Sequence, residues 1–159
     1  MRAPDFEPTP FESDSRFVRD AVGGLVWHRV SHRVLFADTD RSGVVYHANY
    51  FRFFELGRST LLRDSGFPLR EVEAAGYIYP IFQVGVDYFR PMDYEDPIWV
   101  HTRFRDLHGV HVDFDYLITH AESNLVLCKG FTRHCAVNRK RRPVAVDPLT
   151  VEIFQRFPG

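Results

Sequence analysis

Residues 36–55 read FADTDRSGVVYHANYFRFFE. Asp38 and Asp40 stand two apart, Gly43 follows, and a short apolar run leads to His47 and a segment dense in aromatic residues. The chemistry these types offer together is acyl transfer. A carboxylate at the end of one element can serve as base or nucleophile. Amides opening the next helix lack intrahelical partners, sit at the positive pole of its dipole, and can hold an oxyanion. Gly43 permits a positive-φ turn and close approach of a ligand to the backbone. Asp, Thr, Asp, Arg, Ser and Gly before a helix are also what any loop and N-terminal cap would use, so spacing alone leaves both readings open. Serine and cysteine nucleophiles are not indicated: no G-x-S-x-G occurs, and neither Cys128 nor Cys135 has an activating context.

Positioning such groups takes a strand before them and a helix after them. From Trp27, Val30, His32, Val34 and Phe36 alternate with Arg29, Ser31 and Arg33, the pattern of a half-buried strand. Tyr50, Phe53, Phe54, Gly57, Leu61 and Leu62 then recur at helical spacing. They predict a helix over about residues 49–65, with Asn49 as its N-cap and Gly66 and Pro68 as its stop. The aromatic bulk on this helix requires cover over most of its circumference, so a sheet must wrap it. A helical turn at residues 69–75 leads to alternating Phe82, Val84, Val86 and Tyr88. Ile98 to Phe104 follow, then a hairpin at His108 and Gly109, a strand through Val112 and Tyr116, another over residues 125–138, and a terminal helix at 148–156. One strand, one aromatic helix and four strands in meander predict an α+β fold, an antiparallel sheet of about five strands around one long central helix.

The whole chain sets outer limits. Its 159 residues suit one domain. Residues 1–25, acidic and proline-rich, are expected as a tail, mobile or draped on the surface, and residues 26–159 as the domain. A net charge of −1 gives no long-range pull on nucleic acid. The one dense cationic run, Arg139 to Arg142, reads as a solvated turn or as a contact for a phosphorylated ligand. No membrane span and no secretory signal are expected. Two cysteines are too few for a disulfide framework, and a reduced, cytoplasmic protein is the default. No three or four of the histidines and cysteines have zinc-like spacing, so neither a metal nor another cofactor is expected.

Asp38-Thr39-Asp40, Gly43-Val44-Val45-Tyr46-His47, Asn49-Tyr50 and Phe54-Glu55 with Arg58 resemble the signature of the 4-hydroxybenzoyl-CoA thioesterase family, closest to bacterial acyl-CoA thioesterases of the Tol-Pal cluster type. The element order supports the likeness over roughly residues 30–148. It implies a hotdog fold, a homodimer or homotetramer with active sites at subunit interfaces, and hydrolysis of acyl-CoA to free acid and CoA. An acyl-carrier-protein thioester stays open as substrate. Asp40 matches the family's catalytic carboxylate, as nucleophile or as general base. The His47 amide matches the donor that polarises the thioester carbonyl, while its imidazole either touches the thioester or packs at the interface. Gly43, Val45, Tyr46 and Glu55 are expected along the substrate, with core packing for Tyr46, and an Arg58 pair for Glu55, as alternatives. Asp38 is expected as a turn or interface acid. Arg90, Lys129, Arg133 and Arg139 to Arg142 are the cations available for CoA phosphates. Two other readings compete: a non-catalytic acyl-CoA-binding or assembly module, and a hotdog hydratase or dehydratase, whose Asp and His have a different spacing.

Overall fold

A computed structural model describes residues 1–67 and 69–158. Strands β1 (Pro8–Pro10), β2 (Phe17–Asp20) and β3 (Val26–Arg33) precede the long helix α1 (Tyr50–Asp64) and the short α2 (Leu69–Ala74). Strands β4 (Ile81–Tyr88), β5 (Pro97–His108), β6 (His111–His120) and β7 (Val126–Cys135) follow, and α3 (Pro148–Arg156) closes the chain. All strands join one antiparallel sheet of seven in the order β1-β2-β3-β5-β6-β7-β4, with α1 on its inner face.

Two expectations need correcting. The sheet has seven strands, not about five, because two strands within the expected tail extend it: β2 pairs with β3, and β1 with β2. Phe6 is buried there, edge-on to His101 (4.7 Å) and Trp27 (6.3 Å) across the outer face. Apolar residues scattered among prolines and acids are enough to add strands when an existing edge supplies the hydrogen bonds. The second correction concerns the meander, which holds only for β5, β6 and β7. β4 pairs with β7 at the far edge, and residues 89–96 carry the chain back across to β5 beside β3. Bulges at Phe104/Asp106 and Ile118/Thr119 bend the long strands.

The aromatic face of α1 packs on the sheet. Tyr50, Phe53, Phe54 and Leu61 are buried, and Phe54 stacks on Tyr116 at 4.4 Å and 9°. Gly57 lets helix and sheet approach: a Cβ there would lie 2.2 Å from Thr102 Oγ1. The helix ends as its sequence indicates. The Phe67 amide donates to Leu62 O and the Gly66 amide to Arg63 O, with Gly66 at φ +83°, a Schellman closure. Pro68, the other half of the expected stop, lies outside the described residues. No helix among the described residues is long and apolar enough to cross a membrane.

Candidate active site

Residues 34–49 form the connection that carries the signature. Val34 and Val45 are buried in the main core and hold its two sides down. Between them Thr39 bridges Val45, the Asp40 amide donates to Val44 O (2.9 Å), and the Gly43 amide returns to Asp40 O (3.0 Å). The result is a tight turn at 40–43, and Gly43 closes it at φ +87°, a conformation that a side chain would strain.

Asp40 stands at the corner of this turn. It is exposed, and its Oδ1 accepts the Ser42 amide (2.8 Å) and the Ser42 hydroxyl. Those two hydrogen bonds hold the carboxyl below the usual carboxylate range, and the nearby His47 adds to the effect. Asp40 is therefore ionised at neutral pH without any salt bridge to a lysine or arginine among the described residues.

Asp38 does different work. It is buried, its Oδ2 accepts the Leu35 amide (2.9 Å), and Arg52 lies 3.5 Å from Oδ1. Its carbonyl accepts the Tyr46 amide (3.0 Å) and Asn49 Nδ2 (2.8 Å). Asp38 thus fastens the signature loop to the start of the helix. Asn49 is not the expected N-cap: its backbone is already helical and its side chain is spent on Asp38.

The helix begins earlier than Asn49, in a 3-10 turn at His47–Asn49 that runs directly into α1. The first amide to bond back is that of Asn49, to Tyr46 O (2.8 Å), which leaves those of His47 and Ala48 at the opening of the rod. Tyr88, at the end of β4, donates its hydroxyl to His47 O (2.7 Å) and so pins this opening to the sheet edge. The His47 ring is exposed and lies against Tyr46, centroids 4.5 Å apart.

The expected site residues are therefore only partly gathered. Asp40, Gly43, Tyr46 and His47 share one exposed corner. Val45 is a correction: it is 4% exposed, packs into the core, and donates its amide to Met92 O (2.8 Å), so its side chain does not line an open surface. Glu55 opens on a separate cleft of about 380 Å³ with His32, Asp38, Arg52 and Ser59, and is not brought to Asp40. No salt bridge joins it to Arg58, whose Nη1 donates to Tyr116 Oη (2.9 Å). Sequence reasoning missed Ser42 and Tyr88. Ser42 had a signal, since an Asp followed by a small polar residue two positions on makes an Asx turn. Tyr88 had none, being 41 residues from the carbonyl it binds. Among the described residues no group of three His, Cys, Asp or Glu side chains is placed to hold a metal ion.

The acyl-CoA thioester hydrolase YbgC of Escherichia coli O6:H1 is 29% identical over 78% of this chain and 92% of its own length. The acyl-CoA thioesterase YbgC of Haemophilus influenzae is 30% identical over 71% of this chain and 83% of its own. The crystal structure of a 1,4-dihydroxy-2-naphthoyl-CoA thioesterase from Synechocystis superposes with a TM-score of 0.77 at 21% identity, covering 81% of this chain and 96% of that one, a likeness of fold. Residues 34–154, from the last buried valine before the signature loop to the terminal helix, match the thioesterase-like superfamily, and the chain belongs to that family, with its hotdog fold.

Proposed function

We infer that the protein hydrolyses the thioester of an acyl-CoA, releasing the free acid and CoA. One observation carries this reading: an ionised carboxylate, Asp40, on a rigid turn directly ahead of the open amides at His47. The thioester carbonyl sits at the His47 amide, which takes the charge that develops on oxygen as the carbonyl is attacked. Asp40 either attacks the carbonyl carbon itself or takes the proton of an attacking water, and its exposure leaves room for both. Tyr88 holds the donor by its own carbonyl. No cofactor takes part.

A corner this open cannot keep bulk water from a reacting ester, so the site needs cover. β4 supplies the means. It is a sheet edge, and Val84 and Tyr88 are 44% and 40% exposed on the face that carries α1, while the bulge at residues 81–83 turns Phe82, 51% exposed, to the outer face against His111 and Arg133. Long apolar edges invite a further strand. A second copy of the chain, paired antiparallel along β4, covers that strip and closes over Asp40. The working enzyme is then a dimer with two interface sites, and two dimers make the tetramer that the family likeness implies. Two free cysteines suit a reducing cytoplasm.

Thiol release tests the reading. A panel of acyl-CoAs of graded length, with benzoyl and phenylacetyl members and an acyl-carrier-protein thioester, is expected to give turnover with at least one member. No release from any of them would overturn the assignment.

A further inference from the structure

The cations available for CoA phosphates differ sharply in their surroundings. Lys129 lies 3.8 Å from Asp87, and Arg133 lies 3.0 Å from Asp113 and donates to Gln83. Arg90 lines a cleft with Glu7 and the N-terminal residues. Arg139 donates to Ala74 O (3.1 Å) at the end of α2. Lys140, Arg141 and Arg142 are exposed, and among the described residues no carboxylate pairs with them. Their turn is built in advance. Asn138 Oδ1 accepts the amides of Lys140 (2.9 Å) and Arg142 (3.1 Å), the Arg141 amide donates to Asn138 O (2.8 Å), and Arg141 holds φ +59°.

Within one chain this turn is remote from Asp40. Val137, just before it, bridges Ile78, ahead of the first residue of β4. His47 is fixed to Tyr88, the last residue of β4. The eight residues of β4 put about 23 Å between those ends. The Arg139 contact with Ala74 O sets the turn beside the end of α2, which packs against α1.

A two-fold antiparallel pairing of β4 with itself exchanges the ends. Centred on Gly85, it sets Val84 against Val86 and Gln83 against Asp87 of the second copy, with no like charges facing. In that register the first end of β4 in one chain, which Ile78 precedes, lies beside the last end of β4 in the other, which Met92 follows, and Met92 O receives the Val45 amide of the signature loop. The basic turn beside Ile78 arrives next to the other chain's Asp40.

We propose that Lys140, Arg141 and Arg142 of each chain bind the diphosphate and 3′-phosphate of the CoA whose thioester lies at Asp40 of the other chain. This rests on the thioesterase reading and names the residues that complete its site. The turn holds the CoA end, Asp40 and His47 the acyl end, and each active site draws on both copies.

The test uses the full chain with Lys140→Ala, Arg141→Ala and Arg142→Ala combined, Arg139 being kept because it anchors α2. KM for acyl-CoA is expected to rise about 10-fold or more, the combined effect of several exposed charge contacts. KM for the matching acyl-pantetheine thioester, which lacks the phosphates, should move less than about 2-fold and so report an intact fold. A mixed dimer of one Asp40→Asn chain and one triply substituted chain decides the geometry. Its single Asp40 faces an intact turn only in trans, so KM for acyl-CoA should return to the wild-type value. A KM that stays raised there, or one that never rises in the triple variant, overturns the proposal. Binding of CoA itself, followed by calorimetry on wild type and triple variant, reads the phosphate site without turnover. If no acyl-CoA is hydrolysed while CoA affinity still falls in the variant, the thioesterase reading fails and the phosphate site stands.

Discussion

A carboxylate that is neither buried nor ion-paired is poised by its own turn. In Asp40 that turn is Ser42, whose amide and hydroxyl both donate to one carboxylate oxygen and lower its proton affinity. Ser42→Ala removes one donor, so the acidic limb of the kcat/KM profile, which reports groups of the free enzyme, should move to higher pH. The sign follows from the shift: a lowered pKa keeps Asp40 in its active anionic form further into acid, and losing Ser42 gives that range back. A limb that does not move would mean that Asp40 is not the titrating group. Tyr88→Phe deletes the hydrogen bond to His47 O and should lower kcat/KM about 2- to 10-fold, the ordinary worth of one hydrogen bond. The signature residues were legible because their types and spacing are local. The contact of Tyr88 was not, since it exists only once β4 has reached the far edge of the sheet.

At the scale of elements, α1 is held by the fit between its aromatic face and the sheet, and Gly57 is the tightest point of that fit. Gly57→Ala separates two opposing effects. Helix propensity favours alanine by about 1 kcal/mol. The new Cβ would meet Thr102 Oγ1 at 2.2 Å and Val100 Cγ1 at 2.8 Å, both on fully buried residues, and overpacking of that kind costs about 1–3 kcal/mol. The clash should win, so thermal denaturation is expected at a lower temperature than wild type; a raised Tm would show that the sheet yields there. Periodicity located α1, α3 and the strands β3 and β5 to β7 because their apolar residues recur at the spacing of helix or strand even where, as in β6, both faces end up buried. It did not place β1 and β2, whose short strands among prolines lack an alternating run, nor the position of β4, because strand order depends on which edges meet rather than on any one strand's sequence.

The whole molecule carries its pH dependence in buried histidines. Burial pushes His101 down to about 3 and His134 to about 4, Arg58 adding to the second. An unfolded histidine titrates near 6.5, so between about pH 6.5 and 4 the unfolded chain binds protons that the fold refuses, and stability falls as pH drops. Each pH unit of difference is worth about 1.4 kcal/mol, enough to erode a marginal fold. Tm should therefore be highest near neutrality and several degrees lower by pH 5; a flat profile would place these side chains in contact with water. The apolar edge of β4 gives an association test at the same scale. Val84→Glu puts a charge at the centre of the strip, and sedimentation should show wild-type dimers becoming monomers that have lost most of their thioesterase activity, whereas unchanged dimers would move the interface elsewhere. The most direct measurement of the central claim compares thiol release from an acyl-CoA substrate by wild type and by Asp40→Asn at matched Tm. The exposed substitution should leave the melting curve in place and lower kcat by about 100-fold or more, the scale of general acid–base catalysis. Equal rates from the two proteins would contradict it.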